Sequence, residues 1–178
     1  FPLPSIFEAF NARVESNFQN WWKDKLEEKE IDINIEFLRN TIYFARLATM
    51  VQGMLFIEHI SSTENLEINL KEVLQNWSAG CIIRSDLLKE LEGVNLSNTI
   101  TSSGFVQNTL LEHLDSVKNV IKTCIDGSIS IPVITSSYNW FVGTSNSFNP
   151  SSLIQAQRDY FGAHQVQLNN SDEFIHLD

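Results

Sequence analysis

The stretch that decides the fold is Ile35–Ile60, IEFLRNTIYFARLATMVQGMLFIEHI. It contains no proline, and in a helix its apolar residues would occupy almost the whole circumference. A helix that is apolar almost all round is normally buried among other helices, and this one exceeds the average helix length of globular proteins. Gly53 inside it costs roughly 1 kcal/mol relative to alanine, so we expect another helix to pack closely there. The sequence therefore predicts a buried central helix with other helices around it.

Helical patterns also occupy most of the chain on either side. Before the central helix, Ser5 and Glu8 have the spacing of a capping box, and we predict a first helix from there through Trp22 into the charged run that follows. After the central helix, helical spacing recurs in three segments, 66–77, 82–91 and 105–125. The one strand candidate, 128–134, contains Pro132, which cannot donate to a sheet. The predicted fold class is all-α, a multi-helical bundle around the long buried helix.

A last long helix is predicted near the C-terminus, where the stretch 153–164 reads LIQAQRDYFGAH. Asn149 can cap it, and Pro150 falls at the first helical position, where a missing N–H costs nothing. Gly162 offers a left-handed residue that stops the helix. The residues after His164 are polar, and we expect an extended tail that a partner orders.

This last helix also carries the chemistry that stands out in the sequence. Arg158 lies one turn inside its end and His164 just after the stop, so a permanent cation and an imidazole that titrates near neutral pH meet at one terminus. On physical grounds this is a candidate anion site. An equally good interpretation is that Arg158 pairs with Asp159 or a neighbour while His164 is a solvated loop residue.

Composition limits the classes of function. The 178 residues, 43% hydrophobic and 19% charged, are typical of one globular domain with a sizeable core. The net charge of −10 argues against broad nucleic-acid binding and against a basic membrane-surface patch. No apolar run approaches the length of a membrane span. A few local arginines can still bind a small anion, because solvent screens distant charges.

Other motifs of known chemistry are absent from the sequence. Cys81 and Cys124 are isolated, and we expect reduced, mostly buried thiols in a cytosolic protein. Arg84 is predicted to be a buried pairing residue rather than a ligand, and it is given no catalytic role. The sequence has no GxGxxG fingerprint, and its four histidines lack the spacing of metal ligands. No catalytic residue and no metal site is therefore predicted from the residues.

Five stretches resemble one known family in the same order along the chain. They are Pro2–Arg13 (PLPSIFEAFNAR), Ala45–Leu55 (ARLATMVQGML), Gly80–Ser85 (GCIIRS), the LIQAQRDYFGAH segment and Phe174–His176 (FIH). The chain is similar in these stretches to the C-terminal helical domain of 6-phosphogluconate dehydrogenase (decarboxylating). The LIQAQRDYFGAH segment is the most specific of them, because it matches a dozen residues of mixed chemistry.

The resemblance implies the function. Enzymes of this family bind NADP in an N-terminal Rossmann domain and oxidise 6-phosphogluconate, which then loses carbon dioxide to give ribulose 5-phosphate in the pentose phosphate pathway. A lysine base and a glutamate acid lie upstream of the matched part, and the start at Phe1 suggests a fragment. We therefore expect the substrate-binding and dimerising domain of a cytoplasmic enzyme, inactive alone, with NADP held mainly by the absent domain.

The family's domain and site assignments carry over to particular residues. The resemblance implies one all-α domain over 1–164 and a tail over 165–178 that packs on a partner subunit of a homodimer. The arginine of the EA..AR motif, which contacts the substrate phosphate, matches Arg13. The arginine and histidine of the last helix, which reach the phosphate in the partner's site, match Arg158 and His164.

Some positions depart from the family pattern. Val117 and Lys118 replace a usual tryptophan and arginine, and Phe141–Thr144 keeps only the glycine of a tyrosine-aspartate-glycine-tyrosine turn. Gln165–Gln167 replaces a threonine-tyrosine-glutamate. These changes indicate a divergent branch. The alternative function is a non-catalytic helical module that kept the fold for dimerisation alone.

Overall fold

The computed structural model describes residues 1–18, 20–23, 25–27, 29–96, 99–146, 150–167 and 171–176. Within these ranges the chain forms seven α-helices and one pair of two-residue strands. The helices are α1 (Pro4–Glu15), α2 (Ile35–Thr63), α3 (Leu70–Gly80), α4 (Asp86–Glu92), α5 (Gly104–Asp126), α6 (Pro132–Ser145) and α7 (Ser151–Gly162). The strands are β1 (Val166–Gln167) and β2 (Phe174–Ile175), which pair antiparallel. The prediction of an all-α fold is confirmed, with this short strand pair as an addition.

Contacts divide the chain into two compact units, Phe1–Phe141 and Val142–Asp178. Each unit is described separately below, and the single domain predicted over 1–164 stays a prediction. Among the helices that the structure describes, none is long and apolar enough to cross a lipid bilayer.

The core of the first unit lies between α2 and α5, with α3 and α4 packed against them. Asn34 caps α2 by accepting the backbone N–H groups of Glu36 and Phe37, and Ser103 caps α5 by accepting that of Val106. One face of each helix is apolar and buried. The fully buried large side chains include Phe44, Leu47, Met54, Leu74, Leu88, Leu91 and Ile100. The predicted central helix is thus present. It ends at Thr63, three residues after the predicted end at Ile60.

The burial predicted for α2 is wrong for the single chain, because only one face of the helix is covered. On its other side Ile42 and Phe56 are 46% and 37% exposed. The close packing predicted at Gly53 is also not found, since no atom of the described residues lies within 4 Å of a Cβ built there. The sequence pattern showed that these side chains are apolar, but it could not show on which side the other helices pack.

The start and the end of α1 also differ from the prediction. The N-cap position is Leu3, without a side-chain hydrogen bond, and the helix ends at Glu15. Trp21 and Trp22 lie in a turn and are exposed. The predicted capping box is wrong because Ser5 lies inside the helix and is completely buried.

Ser5 takes part in a buried polar network that joins α1 to α2 and α6. Its backbone N–H donates to Gln52 Oε1 at 3.1 Å, and the Gln52 amide donates back to Ser5 Oγ at 2.8 Å. Ser5 Oγ lies 2.9 Å from Ser137 Oγ, and the Ser137 hydroxyl donates to the Val133 carbonyl at 2.8 Å. Because Ser137 uses its own hydrogen in this way, Ser5 is the donor between the two hydroxyls. Every hydroxyl hydrogen of the network therefore has an acceptor.

Three further sequence expectations need correction. The helices predicted over 66–77 and 82–91 begin later, at Leu70 and Asp86, because Asn69 caps the first of them by accepting the N–H of Lys71. Cys124 is buried as expected, but Cys81 is exposed. Arg84 is exposed rather than buried, so the reason for giving it no ligand contact does not hold.

We expect Gln52→Met to destabilise the protein by about 1–3 kcal/mol, because it removes both hydrogen bonds between Gln52 and Ser5 and leaves the buried N–H of Ser5 unsatisfied. Urea unfolding followed by circular dichroism measures the change. The matched control is Gln75→Met on the exposed face of α3, which should change the stability by less than about 0.5 kcal/mol. Equal stabilities of the two variants would show that the network does not hold α1.

Candidate functional site

The end of α7 differs from the sequence prediction in a way that shapes the site. Gly162 is the last helical residue, and the left-handed residue is Ala163, with φ 49° and ψ 42°. Gln165 also has a positive φ, 64°. Such conformations cost roughly 1–2 kcal/mol for a residue with a Cβ. The predicted left-handed stop at Gly162 is therefore wrong by one residue.

The start of α7 is close to the prediction. The helix begins at Ser151, with Pro150 in the N-cap position rather than at the first helical position. The predicted cap, Asn149, lies outside the described residues. This shift of one residue leaves the positions of Arg158 and His164 relative to the helix end as expected.

Gly162 is needed for the placement of His164 rather than for its own backbone angles. A Cβ built on Gly162 would lie 2.7 Å from both Cδ2 and Nε2 of the His164 ring. Real Cβ atoms do not come this close to another atom, so the imidazole lies directly against the bare α-carbon of Gly162. The glycine thus leaves room for the exposed His164 ring beside the helix terminus.

Arg158 and His164 line one surface cavity of about 440 Å³. The other residues that line it are Ile154, Gln157, Phe161 and Gly162. The described hydrogen bond of the guanidinium goes from Nη1 to Gln155 Oε1, at 3.3 Å. This acceptor is neutral, so the contact leaves the positive charge of Arg158 available to a ligand. The bond of Arg158 to a neighbour and the exposure of His164 agree with the second interpretation drawn from the sequence, while the shared cavity agrees with the first. The anion site stays a prediction.

Asp159 faces away from solvent and joins the tail to α7. Its side chain is 1% exposed, and Oδ1 accepts the backbone N–H of Gln165 at 2.5 Å and Nδ1–H of His176 at 3.0 Å. The pairing of Val166 with Ile175 brings His176 back to the helix end. Sequence reasoning missed this role of Asp159 and His176, because nothing in the spacing of the two residues indicates that they meet.

The third predicted site residue, Arg13, belongs to the other compact unit. It is exposed in the last turn of α1, and its backbone carbonyl accepts the Ser16 hydroxyl at 2.7 Å. Its part in the same site as Arg158 and His164 stays a prediction.

A larger cavity of about 880 Å³ in the first unit has less suitable chemistry. Two charged residues, Glu58 and Lys71, line it. The Glu58 carboxylate accepts the Thr99 hydroxyl at 2.8 Å and the Ile100 N–H at 3.1 Å. These bonds use the carboxylate to hold the turn before α5. Among the described residues no group of three or more His, Cys, Asp or Glu side chains could hold a metal ion. The cavity at the end of α7 is therefore the candidate site.

Fold and cavity together define an all-helical domain with a surface cavity lined by an arginine and a histidine. The family model of the 6-phosphogluconate dehydrogenase C-terminal domain matches residues 1–178. The chain therefore belongs to the 6-phosphogluconate dehydrogenase C-terminal domain family.

Individual relatives agree with this assignment. The chain is 28% identical to a decarboxylating 6-phosphogluconate dehydrogenase of Synechocystis sp., over 99% of this chain and 40% of the relative. It is 29% identical to that of Lactococcus lactis subsp. lactis, with the same coverage. The chain thus spans about two fifths of the length of these relatives.

A solved structure has the same fold. It is the Plasmodium falciparum 6-phosphogluconate dehydrogenase, determined in its apo form, in complex with its cofactor NADP+ and in complex with its substrate 6-phosphogluconate. Its TM-score is 0.75 at 25% identity, and the likeness covers 99% of this chain and 41% of that chain. The all-α prediction and the family resemblance are both confirmed.

We expect Gly162→Ala to weaken the binding of inorganic phosphate while leaving the fold intact. The added methyl group would displace the His164 ring, whereas alanine in the last helical turn does not oppose the helix. Titration followed by nuclear magnetic resonance would measure the affinity. Gly53→Ala is the matched control, because a Cβ there meets no described atom, and it should bind phosphate as the wild type does. Equal phosphate affinities of the two variants would show that the contact of the His164 ring with Gly162 does not matter for phosphate binding.

Proposed function

We propose that this chain is the substrate-binding and dimerisation domain of an NADP-dependent 6-phosphogluconate dehydrogenase. The whole protein would catalyse the oxidative decarboxylation of 6-phosphogluconate to ribulose 5-phosphate, in the cytoplasm. The observation that carries the proposal is that Arg158 and His164 line one cavity at the end of α7. The family match supports the same assignment. Both the cofactor and the substrate are named for the relative from Plasmodium falciparum.

The chemistry of the cavity suits the phosphate end of the substrate. A guanidinium can donate two parallel N–H bonds to phosphate oxygens, and such charge-assisted bonds are about twice as strong as neutral ones. An imidazole adds a donor, and a positive charge when it is protonated. These residues bind and orient the substrate. The lysine base and glutamate acid that the resemblance implies belong to the part of the enzyme that this chain does not match.

The residues present do not form a dinucleotide site of the usual kind. The sequence has no GxGxxG turn to hold the pyrophosphate. In the proposal NADP is therefore bound mainly by the Rossmann domain of the whole enzyme. NADP supplies the hydride acceptor there, and this chain contributes the groups that fix the substrate.

We further propose that the site is shared between the subunits of a homodimer. Arg13 of one subunit would face Arg158 and His164 of the other. Two guanidinium groups at close range repel each other unless an anion lies between them. A phosphate from the substrate would supply that anion, so the two arginines would be brought together by binding.

The second candidate function is a helical dimerisation module without catalysis. The exposed apolar side chains on α1 favour it, since Phe7 and Phe10 are 62% and 65% exposed. Apolar surface of this kind is normally covered by another protein surface. Both candidates include dimerisation, but only the enzyme requires that Arg158 contact a substrate.

The enzyme proposal is tested in the full-length protein with Arg158→Ala. We expect KM for 6-phosphogluconate to rise about tenfold or more, because the loss of a charge-assisted hydrogen bond costs roughly 1.5–3 kcal/mol. Formation of NADPH measures the rate, and the 178-residue chain alone should form none. The control is Arg39→Ala, an exposed arginine paired with Glu36 at 2.7 Å, which should leave KM unchanged. An unchanged KM in Arg158→Ala would favour the dimerisation module.

Dimerisation of the chain is tested by light scattering at micromolar concentration. We expect twice the mass of the 20.3 kDa chain, because burying the exposed apolar side chains removes them from water. Dilution should convert the dimer to monomer without loss of helix signal. A monomer at micromolar concentration would contradict the proposal for this chain.

A further inference from the structure

The buried carboxylate of Asp159 is unexpected in a site for anions. It adjoins Arg158 in sequence, and a negative charge near a cationic cavity opposes anion binding. Its side chain is nevertheless 1% exposed, and Oδ1 accepts the backbone N–H of Gln165 and lies 3.0 Å from the ring Nδ1 of His176. These contacts point to a role in holding the backbone beside the cavity.

Two backbone N–H groups in the turn after α7 donate to Asp159, and this turn has an unfavourable backbone conformation. Ala163 and Gln165 both have positive φ, a conformation that residues with a Cβ avoid. The Ala163 N–H donates to the Asp159 carbonyl at 2.7 Å, and the Gln165 N–H donates to the Asp159 carboxylate. Asp159 thus accepts from the residues on either side of His164. These contacts fix the backbone from which the His164 side chain projects.

The tail makes a second contact with the same carboxylate, through His176. The antiparallel pairing of Val166 with Ile175 places His176 next in line after β2. Nδ1 of His176 lies 3.0 Å from Asp159 Oδ1. An ionised carboxylate only accepts hydrogen bonds, so Nδ1–H is the donor. One oxygen of the carboxylate therefore joins α7 to the turn and to the residue that follows β2.

We propose that Asp159 and His176 are positioning residues of the anion site. They hold the turn 163–165 in its left-handed form and so keep the His164 ring against Gly162, at the cavity that Arg158 lines. This proposal rests on the proposed function, because it assigns a role to the two residues in the same phosphate site. Neither residue touches the ligand.

The sign of the effect on phosphate affinity separates this role from a simple charge effect. If Asp159 acts by charge alone, its removal strengthens phosphate binding. If it positions His164, its removal weakens binding although a negative charge has gone. Asparagine keeps an acceptor oxygen without the charge, so positioning predicts an affinity for Asp159→Asn between those of wild type and Asp159→Ala.

The experiment is a titration of inorganic phosphate into the 178-residue chain at about pH 8, above the ordinary range of histidine titration. We expect Asp159→Ala to weaken binding about tenfold, with Asp159→Asn between it and the wild type. Asp172→Ala is the matched control, since Asp172 is an exposed carboxylate of the same tail, and it should bind at least as well as the wild type. Affinity in Asp159→Ala equal to or above that of the wild type would overturn the proposal.

A pair of substitutions at His176 tests the other half of the contact. His176→Ala should weaken phosphate binding, and His176→Asn should restore it in part, because the asparagine amide places an N–H near the position of Nδ1. If His176 only stabilised the fold, restoring this N–H donor would not change the affinity for phosphate. Equal affinities of the two variants would remove His176 from the proposal. If Asp159→Ala does not fold, this pair and Asp159→Asn decide the question.

A spectroscopic readout separates this proposal from the proposed function. Magnetisation transfer between the His164 ring and Gly162 reports their contact directly. It should disappear in Asp159→Ala but persist in Arg158→Ala. Unchanged phosphate affinity in Arg158→Ala would show that the proposed site is wrong, whatever the ring does. Retention of the contact in Asp159→Ala would show that Asp159 does not position His164, even if the site is right.

Discussion

The buried side chain of Gln52 is the constraint on which the arrangement of the first unit depends. It lies on the inner face of α2 beside apolar residues such as Val51 and Met54, all completely buried. An amide buried without partners costs several kcal/mol, whereas a satisfied one costs little. Both polar atoms of Gln52 find their partners on Ser5, so the face of α2 can close around the amide only when α1 is in place. The position of α1 is therefore set by hydrogen bonding more than by apolar burial.

This constraint explains why α1 exposes so much apolar surface. Of its twelve residues, all of them described, Ser5 alone is buried. The apolar side chains that would normally anchor an amphipathic helix point outward, among them Phe7 and Phe10. The same is true of Ile42 on α2. The polar contact orients α1, and its apolar side chains are then left for a covering surface, as the proposed dimer requires.

Much of the fold could be predicted because local signals agree with the packing. Asn34 and Ser103 cap helices whose apolar spacing was plain, and Pro132 starts a helix where a strand was excluded. The prediction failed where long-range contacts decide. Ser5 has the local pattern of a cap, but its bonds go to residues on α2 and α6, which are remote in sequence. Likewise apolar residues such as Ile42 and Phe56 also occur on the outer side of α2, so the run of apolar residues alone could not identify the buried side.

The candidate site was predictable in the arginine and histidine that line its cavity but not in the residues that shape it. Arg158 and His164 carry groups whose chemistry can be recognised from their type. Gly162, by contrast, looks like a helix stop, although the observed left-handed residue is Ala163 and the glycine makes room for an imidazole. A left-handed Ala163 is tolerable only because the N–H groups around it have acceptors on Asp159. The segment RDYFGAH therefore combines two kinds of residue, those that line the cavity and those that stabilise the unfavourable turn beside it.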